Sequence, residues 1–584
     1  MQELGPVGDL RYMTSPANHR FPVWTRGNAG EVYPEVFYPL SWSVAADAGE
    51  AAMRRAALRT GLLRERDLAG QRFSFTAVYG GYSYLNLSIQ RVIARRMIGA
   101  KVEDVERSYL GNADVVPPYR PQRGDRNLWC SLRGLAHTLR VLRTTELPEL
   151  AADQREVEAF RASLPDPATS SDAELRGTTQ AFMPMFERLF ETHLFVSGAT
   201  AIPVGALANL CERQLGDRSL HMTLLAGIGD VESAAPSWTL WELGRIVRDE
   251  PAVDAAFDAG VSGLHDRLRA LPEAAAFLGA FDDFLAEHGC RGPNEWETAC
   301  HSWGTNPELS LALVDRLRGA DDSQAPGLQQ ARLAAEREEL TADIERRLSR
   351  LQRGNFRRTL RAAHLWSQSR ERTKTTVIRA IHELRLASWE LGQRCADRAG
   401  DGAQADDIWF LLDEEVDGYL ADPASFAETI AERRAAREQL SELEPPFFFD
   451  GIQPDPAHWR RRDRTAEAAA AGEQLDGIAG CPGTATGRAR VVTDAADPTA
   501  LGPGDVLVAP ITDPSWTPLF LAASAVVVDV GAELSHAVIV SRELGIPCVV
   551  SATDATRRIP DGAWVEVDGT HGTVRVLDGE PAPG

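Results

Sequence analysis

Gly531-Ala532-Glu533-Leu534-Ser535-His536-Ala537-Val538-Ile539-Val540-Ser541-Arg542-Glu543-Leu544-Gly545-Ile546-Pro547 lies between two apolar runs of β type, Ser524 to Val530 and Pro547 to Val550. The segment itself reads as about three turns of helix, stopped by Gly545 with Pro547 just beyond. His536 then stands at a helix N-terminus, with Ser535 as a natural N-cap. Free backbone N–H groups and the positive end of the helix dipole favour a bound or carried phosphoryl group there. A surface histidine on a strand-to-helix turn is the plainer reading of the same position.

The neighbours of His536 add to the first reading. Ser535-His536-Ala537, Ile539-Val540, Arg542-Glu543 and Gly545-Ile546-Pro547 together resemble the phosphohistidine motif of the phosphoenolpyruvate-utilising family. Two positions depart from it: Ala532 replaces a second glycine, and Val528 stands where the family often has threonine.

The remaining chain is read outward from that segment. At 584 residues, three or four domains are expected. Apolar content of 44% and charged content of 25% are ordinary for globular proteins. A net charge of −22 disfavours nucleic acid and anionic membranes as partners. No run is expected to match the ~18 apolar residues of a membrane-spanning helix, and the first 30 residues hold no signal-peptide core. Seven scattered cysteines show neither metal-ligand nor disulfide spacing, so a reducing cytoplasm is the expected home.

From Gly477 onward, short β runs alternate with turns, and helices are expected near Pro518–Ala523 and His536–Leu544. Before that, the chain reads as helical to Glu444. Long helices are expected near Phe182–Phe195 and Leu328–Arg353, the latter with a charged, solvated face. Pro445 to Asp476 reads as a linker, about 30 residues reaching roughly 30 Å. The fold class is therefore multidomain α+β. A mostly α-helical substrate-binding body (1–444) and a linker (445–476) precede a C-terminal swivelling β/β/α phosphohistidine domain (477–578).

Several body segments carry polar residues in turns. Trp24-Thr25-Arg26-Gly27-Asn28-Ala29-Gly30-Glu31 is a glycine-bracketed loop. Leu224-Leu225-Ala226-Gly227-Ile228-Gly229 lacks the third glycine of a dinucleotide fingerprint and reads as a substrate-lining loop. Gly289-Cys290-Arg291-Gly292-Pro293-Asn294-Glu295 is a turn after a helix; its arginine offers a planar fork of donors to phosphate or carboxylate. Ser369 to Arg385 forms a basic helical stripe, read equally as ion pairs or as phosphate steering. His137 and His193 read as packed helix histidines.

The first, third and fourth of these segments are collinear with, and resemble, the acceptor-binding part of rifampin phosphotransferase-like proteins. The resemblance implies that His536 carries a phosphoryl group. It implies Arg291 and Glu295 as orienting catalytic groups, and Arg26, Asn28 and Glu31 as acceptor contacts, to which Trp303 is added as an aromatic neighbour. Gly531, Ser535 and Arg542 would form the phosphate loop. The chain contains no G-x-x-x-x-G-K-[ST] loop and no lysine within a glycine-rich loop. One subunit of a split phosphotransferase is therefore expected, with no cofactor of its own and no metal site. ATP and Mg²⁺ would sit on a separate ATP-grasp subunit. Trp24, Tyr38, Trp42, Tyr82, Tyr84, Trp296 and Trp303 favour a small aromatic hydroxyl acceptor, a phenol first and a rifamycin-type antibiotic second. A non-catalytic phosphohistidine scaffold is the competing reading.

Overall fold

The computed structural model describes residues 13–110, 117–229, 232, 235–322, 325–462, 468–493, 501–502, 504–512, 516–531, 535–552 and 554–580. Two long helices, Asp172–Leu215 and Arg350–Ala399, pack along one another and form the spine of the body. The first begins at a reciprocal Ser171/Glu174 capping box and ends at Gly216, in the left-handed region. It is far longer than the Phe182–Phe195 stretch that periodicity suggests. Its buried positions run from Leu175 to Cys211, so packing outweighs the hydrogen bonds lost at Pro184 and Pro203.

An 18-residue window of that helix has a mean hydropathy of 1.6, apolar and long enough to cross a membrane, against the expectation of no such run. Half of the window is buried inside the body. A core helix covered on several sides needs the same composition. The expected Leu328–Arg353 helix is two helices, Pro326–Arg347 and Arg350–Ala399. The break falls at Ser349, whose N–H donates to Gln352 Oε1 at 3.0 Å and so starts a new helix.

Beside the spine lies a small sheet of β1 (Val23–Thr25), β2 (Thr76–Tyr79), β3 (Tyr82–Asn86) and β5 (Phe448–Asp450), in the order β2-β3-β1-β5. Next to it β4 (Leu443–Glu444) pairs with β6 (Arg460–Arg461). The body therefore does not end at Glu444, and residues 445–461 are not a linker. Phe449 packs edge-on against Tyr79 and Tyr84, at 5.1 and 5.2 Å. That aromatic run has strand character which the preceding Pro445-Pro446 obscured. Arg462 still bonds the body, its N–H donating to the Glu442 carbonyl at 2.8 Å, whereas the Ala469 N–H already donates to Arg558 of the C-terminal domain at 2.7 Å. The connection proper is residues 463–468.

The C-terminal domain contains β7 (Gln474–Asp476), β8 (Ile478–Cys481), β9 (Thr484–Val491), β10 (Val506–Ala509), β11 (Ala525–Val528), β12 (Cys548–Val550), β13 (Trp564–Asp568) and β14 (Thr573–Val576). Their order is β7-β14-β13-β9-β10-β11-β12-β8, with β9 to β12 parallel. Every residue of β10, β11 and β12 is buried, as central parallel strands require. Helices Thr517–Ala522 and His536–Leu544 cover one face through Phe520, Val538 and Val540. Val506, Val508, Val527 and Val565 build the core on the other.

This domain sits against the body. Leu521 joins the body cluster around Leu240, Phe277 and Leu313, and Glu543 meets the backbone N–H groups of Ile228 and Gly229, so the docking face has both apolar and polar contacts.

Candidate functional site

β10 and β11 are neighbouring parallel strands, and the loops leaving their C-terminal ends meet at His536. Such ends are where open α/β sheets place ligands. The first loop supplies Thr512 and leads to helix Thr517–Ala522. The second leads to helix His536–Leu544, with His536 in its first turn. His536 Nδ1 lies 3.2 Å from Thr512 Oγ1, and Nε2 lies 3.2 Å from Thr517 Oγ1. Phe520 meets the ring edge-on at 5.9 Å.

Burial holds the His536 pKa well below the usual histidine value, and the charges of Lys374, Arg291 and Arg370 add to the effect. The residue as a whole is nevertheless only half-buried. Deep desolvation with residual access is the signature of a group facing a narrow cleft. A neutral imidazole is the nucleophilic form.

Ser535 has the extended backbone of an N-cap, yet its buried Oγ finds no hydrogen-bond partner among the described residues. Gly531 accepts from Ser551 Oγ at 2.6 Å. The departure at Ala532 lies outside the described residues. Arg542 is no part of a phosphate loop. Its Nε donates to the Gly480 carbonyl at 3.1 Å, tying β8 to the histidine helix, because six residues of helix carry it away from the N-terminus.

On the body side, helix Ala275–His288 stops before the turn that carries Arg291 and Glu295. A Cβ on Gly292 would lie 2.8 Å from Ser302 Cα, so this close approach requires glycine. Arg291 grips Glu295 with Nη1 at 3.0 and 3.2 Å, and Lys374 Nζ reaches Glu295 Oε1 at 2.9 Å. Burial would raise the Glu295 pKa; Lys374 and Arg291 bring it below its usual value, so it is ionised. Arg291 Nη2 also donates to Thr375 Oγ1 at 2.5 Å. Two cations converge on this buried carboxylate, with Glu232 also acting on Arg291, and the charges of both cations act on His536.

Arg370 completes the cluster. It is paired with Glu371 at 3.3 Å, and its charge also acts on His536, on His193 and on Glu31. Burial pushes Glu31 up to about 7, with Arg370 pulling the other way. His193 is pushed down to about 3 by burial and by Arg370 and Lys374, and its Nδ1 lies 3.1 Å from Thr373 Oγ1. Beside the cleft is an apolar cavity lined by Tyr33, Trp42, Phe182, Phe186, Phe190 and Trp296 among others. It measures about 100 Å³, several times what one water needs, so it takes a molecule of ring size or larger.

The other expected contacts lie elsewhere. Arg26 is buried beneath its own loop, donating to the Pro34 carbonyl at 3.0 Å and stacked over Tyr82 at 4.6 Å. Asn28 is exposed at φ 65°, capping the short helix Ala29–Val32. Trp303 is 1% exposed, packed on Phe284 in a separate core. Trp24, Tyr82 and Tyr84 fill the core under the small sheet, so of the aromatic set only Trp42 and Trp296 line the cavity. Among the described residues, no group of three or more His, Cys, Asp or Glu side chains is arranged to hold a metal.

Sequence reasoning missed Thr512 and Thr517. The available signal was two hydroxyls between the apolar strand Val506–Ala509 and the start of the helix Thr517–Ala522. It also misread the Ala226–Gly229 loop, which meets the histidine helix instead of lining the cavity. Arg337 donates to the carbonyls of Ala226 (3.1 Å) and Gly227, and Gln368 to that of Gly229 (3.0 Å). The N–H groups of Ile228 and Gly229 point at the Glu543 carboxylate. Burial raises Glu543 to about 7, and those two N–H groups oppose the shift.

Comparison with known proteins gives two family matches. The fourth domain of rifampicin phosphotransferase matches residues 193–371, and the mobile domain of PEP-utilising enzymes matches residues 501–572. His193, Arg291, Glu295 and Arg370 fall in the first and His536 in the second. An uncharacterized protein of Mycobacterium tuberculosis is 30% identical, over 99% of this chain and 65% of its own length. The prodigiosin synthesizing transferase PigC of Serratia marcescens is 29% identical, over 86% of this chain and 58% of its own. A rifampicin phosphotransferase of Streptomyces sviceus is 31% identical, over 63% and 42%. The chain thus spans under two thirds of the length of each of these relatives.

Proposed function

This chain belongs to the rifampicin phosphotransferase-like family of phosphoenolpyruvate-utilising enzymes with a mobile phosphohistidine domain, and on that premise we propose that His536 passes a phosphoryl group to a small aromatic alcohol or phenol held in the apolar cavity. The observation that carries the reading is the meeting of a neutral His536 with the Arg291–Glu295–Lys374 cluster beside an aromatic-lined cavity. The group is supplied by a separate ATP-grasp chain that binds ATP and Mg²⁺.

In the transfer, the P–N bond to His536 breaks and a bond forms between phosphorus and the acceptor oxygen. The ring nitrogen that held phosphorus keeps the electron pair, and because the other ring nitrogen carries a proton, held by the threonine hydroxyl beside it, the imidazole is left neutral. Arg291 and Lys374 hold charge that builds on the phosphoryl oxygens, and Ser535 Oγ offers a further donor. The acceptor hydroxyl gives its proton to Glu31, whose pKa near 7 matches that of an effective general base. The closed cleft keeps water from the phosphoramidate.

The test is transfer of labelled phosphate from ATP, with Mg²⁺ and the ATP-grasp chain, first into the protein and then into a panel of phenols. Incorporation should be acid-labile, absent in His536→Ala, and discharged by an acceptor. Label that survives His536→Ala would end the proposal. Stable phosphohistidine with no acceptor turnover would favour a scaffold.

A further inference from the structure

Helix Leu128–Arg143 carries five of the exposed large apolar side chains of this protein. Leu128 is 77% exposed, Trp129 66%, Leu132 48%, Leu135 39% and Leu139 41%. Leu128, Leu132, Leu135 and Leu139 follow a 4-3-4 spacing, which is the seam of a helix-to-helix interface. The opposite side has the same spacing at Cys130, Gly134, His137 and Val141, and that side is buried in the body. One apolar seam is thus used by the fold and an equivalent one is bare. Scattered exposed apolar residues need no explanation, but a contiguous row does.

The charges beside the row discriminate between occupants. The helix contains Arg133, Arg140 and Arg143 and no carboxylate. None of the three arginines is in an ion pair among the described residues. Arg140 and Arg143 also line a surface hollow with Ala136, Leu139 and Thr144. Two copies of this helix laid together would oppose arginine with arginine in either direction. An anionic membrane is disfavoured by the chain's net charge of −22. An apolar helix flanked by carboxylates satisfies both the row and the arginines.

We propose that the exposed face of helix Leu128–Arg143 is the docking surface for an acidic amphipathic helix on the chain that charges His536. Identifying the occupant rests on the phosphotransfer reading above; the seam itself does not. Such a surface holds the donor on the body while the histidine domain travels, which raises the effective concentration of one site near the other.

The test uses the full chain, the ATP-grasp chain, and two variants: Leu132→Glu/Leu135→Glu, and Arg140→Glu. Both alter exposed positions, so their thermal unfolding should match the parent. The double variant should raise the donor concentration needed for half-maximal His536 charging at least tenfold, with the plateau rate unchanged. Arg140→Glu should raise it less, and added salt should weaken the parent complex. Charging of the parent and both variants with the same concentration dependence overturns the docking surface and leaves the phosphotransfer reading intact. Absence of charging in the parent removes that reading and this occupant together. Seam-dependent sedimentation as a dimer, or seam-dependent binding to phosphatidylcholine/phosphatidylserine vesicles, would also overturn the proposal, in favour of a second copy or a membrane.

Discussion

The histidine domain supplies its share of the site from residues 512–536, whereas the body gathers its share from residues 31–374. In the first, two adjacent strands and the helix starts behind them fix Thr512, Thr517 and His536 almost by covalent geometry. In the second, the short helix Ala29–Val32, two spine helices and a turn each contribute part of the set Glu31, His193, Arg291 and Lys374. A carrier that moves must keep its own geometry wherever it goes. A station can instead be assembled from distant parts, and its precision then depends on buried charge pairs.

That contrast can be broken most severely at Glu295. Glu295→Ala strands Arg291 and Lys374 in a buried site, and should cost the body about 3–5 kcal/mol. Urea unfolding of the body should register it, while the histidine domain keeps its own transition. Lys374→Met keeps the volume of the long side chain and removes a cation. It should slow discharge of phosphohistidine to the acceptor by roughly 10²–10³, with charging of His536 unchanged. Equal slowing of both half-reactions would mean that the cluster does not belong to one station.

Glu31→Gln should slow discharge by about a hundredfold. The pH profile sharpens this result: discharge by the parent should rise through pH 7 as Glu31 ionises, and the variant should lose that limb. The smallest effect concerns docking. Glu543 has a pKa near 7 when docked and should return to the ordinary carboxylate range when free. The docked form therefore binds the extra proton. Docking should weaken as pH rises from about 4.5 to 7 and level off above. Glu543→Gln should remove that dependence, read as the domain's protection from limited proteolysis, and change discharge no more than about tenfold.

The same contrast explains what the sequence made legible. Helix His536–Leu544 and its flanking strands were placed within a residue or two, because continuous apolar runs, a capping serine and Gly545 are local signals. Arg291 and Glu295 were found through their turn. Lys374 and Arg370 were left between ion pairing and phosphate steering, and Lys374 makes an ion pair while facing His536. Trp303 and Arg26 misled because bulk and charge do not state which core or cleft they enter. The turn after Pro446 was read as an ending because proline removes a donor, yet only Phe449 and its partners Tyr79 and Tyr84 decide that the chain continues as a strand. Those partners are more than 350 residues away in sequence.

The brevity of the segment between Arg462 and Ala469 has a geometric consequence. Seven steps of fully extended chain span roughly 25 Å. With both ends held as they are, Ala469 is confined to a sphere of that radius about Arg462. The domain is then an arm on a short leash, and His536 reaches only as far as that radius plus its own distance from Ala469. A phosphoryl donor beyond that reach would require the Arg460–Arg461 pairing with Leu443–Glu444 to unzip. A two-residue ribbon would then set how far the arm extends.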